Sequence, residues 1–230
     1  MIETKVATAL AAGSATEVAD KLIAKVRSDL GELVPKLLMV FASTKQPLGE
    51  LMPLITAAFP HSTTLGASTA GEFIETGDAK SSACIFALAG DYRIFAGLGT
   101  ALRASAEQSV AAALEGMPSQ VVGYPHRTAI LLLDPLSGSS EEATLITAAL
   151  MGFDLRLAGA AAGDDLALKS TQVALGNQVI SDGAIVATIF SKQPLGVGVC
   201  HGHEPLSQPL TVTRAEGSVV HEIDGRPAWD

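Results

Sequence analysis

The sequence predicts an α/β fold made of two similar halves, with mixed β-sheets flanked by helices. The first observation is an alternation of apolar runs, typical of covered strands, with stretches of helical spacing. The second is a pair of small-residue segments, 65–72 (LGASTAGE) and 157–165 (LAGAAAGDD), each of which ends in carboxylates. Because such small side chains let two backbones, or a backbone and a ligand, come close together, the pair indicates an internal duplication with a site between the copies.

The composition is that of a well-packed globular protein and limits the kinds of partner. The 230 residues are 48% hydrophobic and 17% charged, which suits a chain with a substantial core. Aromatic residues make up only 4%, so alanine and branched aliphatic side chains must fill that core. A net charge of −9, with no basic stripe and no aromatic stacking platform in the sequence, argues against nucleic acid as a partner.

The sequence carries no signal for a membrane or for secretion. No apolar stretch approaches the roughly 18 uninterrupted residues of a membrane helix, and the N-terminus lacks a basic-then-apolar pattern. The two cysteines, Cys84 and Cys200, lie in apolar runs typical of small buried side chains. We therefore expect a cytoplasmic protein.

The first half is expected to hold two strand–helix pairs, three further strands and a third helix. Ser14 and Glu17 form a capping-box pattern, followed by apolar residues at helical spacing as far as about Gly31. Gly90-Asp91 predicts a hairpin that pairs the two strands on either side of it. In chain order the predicted elements are strand 5–10, helix 14–31, strand 37–42, helix 48–59, strand 63–66, strand 83–89, strand 92–98 and helix 101–114.

The second half repeats this order. An apolar strand at 128–133 precedes a polar loop and a helix that carries LITAA at 145–149, the same letters as 54–58. A strand then enters the second small-residue segment, and another strand at 184–190 follows. We place the halves at approximately 1–120 and 126–215. Further strands are predicted at 196–202, 210–213 and 219–223, and 216–230 is expected to lead into a missing C-terminal domain.

In this order the motifs resemble the N-terminal sensory domain of the FIST family, named for F-box and intracellular signal transduction. The matching pieces are VFAS (40–43), GASTAGE (66–72), AGAAAGD (158–164), SDGA (181–184), HG (201–202) before VTRA (212–215), and EIDGRPA (222–228). The resemblance implies a non-enzymatic, intracellular sensory module that binds a small molecule, with amino acids suggested as ligands, and acts with a signalling partner protein. One branch of the family is described as haem-binding nitric-oxide sensors, which implies haem as an alternative ligand.

The candidate ligand site combines both small-residue segments. Backbone N–H groups would hold a ligand carboxylate while Asp164 or Glu72 accepts its ammonium group, which suits an amino-acid-like ligand. The alternative is structural: the small residues let strands pack closely and the carboxylates cap turns. The residues in question are Ser68, Thr69, Gly71, Glu72, Gly163, Asp164 and Asp165, with His201 as a further candidate.

Two other chemistries remain open from the residues. On a strand His201 and His203 would share a face, where they could chelate a metal or one could ligate haem iron; the alternative is a strand end whose histidines bond to turns. The segment GASTAG is one residue too long for the nucleophile elbow G-x-S-x-G. A hydrolase or transferase that uses Ser68 with Asp164 is the hypothesis from a different class, and no catalytic residue is assigned.

Overall fold

The computed structural model describes residues 3–152, 155–200, 203–217 and 219–229. These fall into two units, Met1–Val197 and Gly198–Asp230. The elements of the first unit are, in chain order, β1 (Lys5–Ala11), α1 (Ala15–Leu30), β2 (Pro35–Ser43), α2 (Leu48–Ala58), β3 (Thr63–Thr69), β4 (Glu72–Ile74), β5 (Gly77–Ala79), β6 (Ala83–Ala89), β7 (Tyr92–Thr100), α3 (Ala106–Leu114), β8 (His126–Leu133), a 3-10 turn (Pro135–Ser137), α4 (Ser140–Met151), β9 (Arg156–Ala161), β10 (Val173–Leu175), β11 (Gln178–Ile180) and β12 (Gly183–Ser191).

Two mixed sheets form the centre of this unit. The first sheet has the order β1-β6-β2-β3-β10-β11 and the second has the order β7-β12-β8-β9. In the first sheet only β2 and β3 are parallel, and in the second only β8 and β9 are parallel. The strands β4 and β5 pair separately as a small antiparallel hairpin. The α/β class with mixed sheets is therefore confirmed.

The order β1-β6-β2-β3 in the first sheet corresponds strand for strand to β7-β12-β8-β9 in the second. In both cases a helix, α2 or α4, connects the two parallel strands. In this correspondence β7 is the counterpart of β1 and would open the second half. The bounds predicted from the sequence instead place β7 and α3 in the first half. An internal duplication predicts such an arrangement, and the duplication itself stays a prediction.

The helices flank the paired sheets, so that the unit has four layers. One apolar cluster, which contains Leu22 and Ile55, lies between the first sheet and the helices α1 and α2. A second cluster, with Leu65 and Ile185, fills the space between the two sheets. A third cluster, which includes Val110, packs α3 and α4 against the second sheet. Every residue of β12, which lies inside the second sheet, is buried.

Local signals predicted the first helix well. The backbone N–H of Ser14 donates to the Glu17 carboxylate at 2.9 Å, and the N–H of Glu17 donates to the Ser14 hydroxyl at 3.4 Å. The capping box is therefore confirmed, and the helix ends before Gly31, which has a φ of 64°. None of the helices in the described ranges is long and apolar enough to span a membrane.

The predicted hairpin at Gly90-Asp91 is wrong. Strand β6 has β1 on one side and β2 on the other, so neither edge is left for β7. The chain crosses instead to the second sheet, where β7 pairs with β12 from Thr100 opposite Gly183 to Tyr92 opposite Ser191. The following helix also begins later than predicted, at Ala106, after Ser105 accepts a hydrogen bond from the backbone further along.

The unit Gly198–Asp230 contains a small antiparallel sheet of β13 (Val212–Glu216), β14 (Val219–Ile223) and β15 (Arg226–Pro227). Its side-chain contacts include a 2.7 Å hydrogen bond from the Thr213 hydroxyl to Glu222. The strand predicted at 196–202 is wrong over its described part, because residues 196–200 form no regular structure. The strand predicted at 210–213 begins two residues later, at Val212.

Candidate functional site

The two small-residue segments meet where β3 and β9 end. The backbone N–H of Gly163 donates to the carbonyl of Ser68 at 2.7 Å, and that of Asp165 donates to the carbonyl of Thr69 at 3.1 Å. A Cβ atom on Gly163 would lie 3.0 Å from the backbone nitrogen of Ala70, closer than ordinary packing allows. The close approach predicted from the small side chains is therefore confirmed, and it joins the first sheet to the second.

Glu72 is buried beside this junction, with a relative exposure of 3%. Its carboxylate accepts hydrogen bonds from the hydroxyl of Thr69, from the hydroxyl of Ser82 at 2.7 Å and from the backbone N–H of Ser82 at 3.2 Å. These bonds close the turn after β3 and fix the start of β6. The geometry thus favours the structural role of Glu72 over contact with a ligand ammonium group.

Asp164 is also buried, and it holds the loop that follows it. Its carboxylate accepts backbone N–H groups from Leu168 at 2.8 Å, Lys169 at 2.6 Å and Ser170 at 3.0 Å. These bonds, with that of Lys169 contributing most, lower the pKa of Asp164 below its ordinary value. Asp164 therefore caps a loop. Of these two adjacent carboxylates, that of Asp165 is the one exposed to a ligand.

Asp165 is exposed, and its carboxylate is held in place from the end of β2. It accepts hydrogen bonds from the Ser43 hydroxyl and the Thr44 backbone N–H, both at 2.9 Å, and from the Thr44 hydroxyl. The Thr44 hydroxyl contributes most to lowering the pKa of Asp165, followed among the hydrogen bonds by Ser43. With a φ of 55°, Asp165 adopts the left-handed conformation, which aspartate accommodates more readily than most residues. The result is a fixed negative charge at the surface.

The junction also contains backbone donors, although not the ones that the sequence predicted. The N–H groups of Gly163 and Asp165 are used within the protein by Ser68 and Thr69. No hydrogen bond from the N–H of Ala70 or Gly71 is found among the residues that the structure describes. Ala70 and Gly71 directly follow Thr69, whose carbonyl accepts the backbone N–H of Asp165, so these donors and Asp165 belong to the same junction. A carboxylate beside unpaired N–H groups is suited to a zwitterion.

The geometry around Ser68 does not suit a nucleophile. Ser68 is buried, with 4% exposure, and its hydroxyl accepts the backbone N–H of Gln172 at 2.8 Å. The backbone N–H of Ser68 in turn donates to the carbonyl of Gln172 at 2.9 Å. This residue therefore ties β3 to the segment that leads into β10.

The histidine candidates His201 and His203 belong to the unit Gly198–Asp230, whereas the junction belongs to the unit Met1–Val197. His201 lies outside the described residues, and His203 is exposed in a segment without regular structure. Among the described residues no group of three or more histidine, cysteine or carboxylate side chains could hold a metal ion. The hypothesis of a haem or metal ligand at His201 stays a prediction.

Sequence reasoning missed Ser43, Thr44 and Asp134. Asp134 follows β8, is buried, and accepts hydrogen bonds from the Thr171 hydroxyl and from the backbone N–H of Asp182 at 2.6 Å. The available signal was a polar residue at the carboxyl end of a buried parallel strand, which is where α/β proteins place their sites. Ser43 and Asp134 both satisfy that rule.

Comparison with known proteins gives a family, one relative that matches over a short segment, and a structure of low similarity. The family model described as the FIST N domain matches residues 36–226. An uncharacterised protein of Methanocaldococcus jannaschii is 36% identical over 73 residues, which are 32% of this chain and only 14% of that protein. The crystal structure of cyanuric acid hydrolase from A. caulinodans is 11% identical, with a TM-score of 0.39 over 83% of this chain and 71% of that chain.

The family match covers both sheets from β2 onwards, including the two small-residue segments that meet at the junction. It confirms the resemblance noted from the motifs. FIST domains are sensory domains of signal transduction. With most of its length matched by the family model, this chain belongs to the FIST N domain family.

Proposed function

We propose that this sensory domain binds an amino-acid-like molecule at the edge formed by Asp165, Ala70 and Gly71. The ammonium group of the ligand would bind the Asp165 carboxylate, and its carboxylate would accept the N–H groups of Ala70 and Gly71. The observation that carries the proposal is the exposed Asp165 carboxylate, oriented by Ser43 and Thr44 in the same junction as those donors. Asp165, whose pKa lies below its ordinary value, is charged at neutral pH.

The same contacts give a route from binding to signalling. Asp165 follows β9 of the second sheet, whereas Ser43 is the last residue of β2 in the first sheet and Thr44 comes directly after it. A ligand on Asp165 would therefore alter hydrogen bonds that connect the two sheets. The next loop presents Leu166, 81% exposed, and Leu168, 76% exposed, both with positive φ. A signalling partner protein would bind these exposed side chains, and the ligand would alter how firmly their loop is held.

We further propose that binding here involves no catalysis. The buried and hydrogen-bonded Ser68 supports a sensor over a Ser-dependent hydrolase or transferase. The haem alternative is distinguished by a Soret band after reconstitution that disappears in His201→Ala.

The test is a thermal-shift screen of amino acids, with Asp165→Asn and the matched control Asp20→Asn. Asparagine tolerates the positive φ at 165 and removes the charge while it keeps one acceptor oxygen for Ser43 and Thr44. Asp20 is an exposed acid on α1. At one hundred times its dissociation constant a ligand should stabilise the protein by about 2.7 kcal/mol. That shift should persist in Asp20→Asn and disappear in Asp165→Asn. An unchanged shift in Asp165→Asn would place the ligand elsewhere, and conversion of the compound would indicate an enzyme.

A further inference from the structure

A cleft lies at the other end of the second sheet. Its volume is about 1050 Å³, and its lining includes Arg127 and Thr128 of β8, Arg156 of β9 and Phe190 of β12. Arg127 is the second residue of β8 and Arg156 the first of β9, whereas Asp165 follows the far end of β9. With about 3.3 Å per strand residue, roughly 20 Å separate the two ends. Small-molecule sites have volumes of about 300–1,000 Å³, so this cleft is large enough for a metabolite.

Among the described residues of the cleft lining, the charged ones are cationic. No aspartate or glutamate is found among the described lining residues, while Arg127 and Arg156 each carry a full charge. The guanidinium of Arg127 donates to the carbonyls of Ser119, at 3.3 Å, and Met151, and that of Arg156 donates to the carbonyl of Leu195 at 2.8 Å. These carbonyls orient the two arginines without neutralising them. In the described ranges neither arginine forms an ion pair with a carboxylate.

The strand register places further polar groups beside Arg156. Thr128 and Arg156 are paired across the parallel strands β8 and β9, so their side chains leave the sheet on the same face. His126 is two residues before Thr128 and shares that face, whereas Arg127 projects from the opposite one. The cleft therefore presents polar donors on both sides of the strand ends.

Charged side chains that are not part of the lining contact Tyr124 of the cleft wall. The Tyr124 hydroxyl donates to Asp91, and the Tyr124 ring lies 4.7 Å from the guanidinium carbon of Arg93 and 5.7 Å from the Lys192 nitrogen. Asp91 pairs with Lys192 at 2.6 Å and with Arg93 at 3.7 Å, so one carboxylate faces two cations. This positive excess occurs on a chain whose net charge is −9.

We propose that this cleft is a second binding site, for a small anion that carries a phosphate or carboxylate group. The planar fork of donors on arginine fits both groups and can bind either one through two parallel hydrogen bonds. Arg127 and Arg156 retain donors beyond those that bind carbonyls. The site is separate from the edge around Asp165 and does not depend on a ligand there.

The test is calorimetric titration of the whole chain with inorganic phosphate and, separately, with citrate. Arg156→Gln is the main variant because Arg156 is exposed and its replacement should leave the fold intact. Arg103→Gln is the matched control: Arg103 is also exposed and also donates to a backbone carbonyl, that of Leu136 at 2.7 Å, but outside the cleft. Both variants remove the same charge.

We expect the wild-type protein to bind at least one probe, with affinity reduced at least tenfold in Arg156→Gln and unchanged in Arg103→Gln. Binding of phosphate alone would identify a phosphate-bearing ligand, and binding of citrate alone a carboxylate-bearing one. Equal weakening in Arg156→Gln and Arg103→Gln would overturn the proposal, because it would reflect net charge. Absence of binding by both probes at 10 mM, on the order of the weakest millimolar affinities, would overturn it as well.

Discussion

Replacement of Gly163 by alanine should destabilise the protein because the two halves touch at this residue. The added Cβ would lie 3.0 Å from both the nitrogen of Ala70 and the carbonyl carbon of Thr69, where ordinary contact begins at 3.4 Å. The backbone would have to separate by a few tenths of an ångström. The 2.7 Å bond from Gly163 to the carbonyl of Ser68 opposes that movement. Overpacking of this kind costs about 1–3 kcal/mol.

For a chain of this size, a loss of about 2 kcal/mol lowers Tm by roughly 4–8 °C. The matched control is Gly49→Ala, on the exposed side of α2, where a Cβ would meet nothing within 4 Å. Alanine is favoured over glycine within helices by about 1 kcal/mol at most, so this variant should be as stable as the wild-type protein or more stable. Both are compared by differential scanning calorimetry. An unchanged Tm for Gly163→Ala would refute the close approach as a packing constraint.

Two further predictions concern titrating groups near the site. Because the N–H groups of Lys169 and its neighbours lower the pKa of Asp164, its stabilising effect is complete above about pH 4 and is lost as pH falls through the lowered value. Asp164→Asn should therefore lower Tm at neutral pH, and melting curves should show the gap to the wild-type protein narrowing in acid; a constant gap would contradict the assignment. Burial, with a smaller effect of Glu72, raises the pKa of the Cys84 thiol to about 11. In a Cys200→Ser variant, iodoacetamide at pH 8 should leave Cys84 unmodified by mass spectrometry until urea unfolds the chain.

Local features of the fold could be predicted from the sequence. The capping box at Ser14 and Glu17 involves atoms three residues apart, and the apolar runs at β2, β8 and β12 carry their own burial pattern. The partner of β7 could not be predicted in this way. Gly90-Asp91 permits a hairpin, but whether the chain turns back depends on β1 and β2, which already occupy both sides of β6.

The approach of the two small-residue segments could be predicted from the sequence, whereas the hydrogen-bond partners of their carboxylates could not. The small residues around Gly163 indicated that two backbones approach, because that property belongs to the residues themselves. Which carboxylate faces solvent depends on partners that are distant in the chain. Asp165 is bound by Ser43 and Thr44, 122 and 121 residues away, whereas Asp164 is bound by the backbone of the loop that directly follows it.

The position of β10 and β11 at the edge of the first sheet has a consequence for synthesis on the ribosome. Four strands of that sheet, β1, β2, β3 and β6, lie within the first 89 residues, but the strand that covers β3 begins at Val173. The bond between Ser68 and Gln172 spans 104 residues. At about 5–20 residues per second, the edge of β3 waits on the order of 5–20 s for its neighbour, open to pairing with other nascent chains. The sheet that is begun first is therefore completed only after most of the chain has been made.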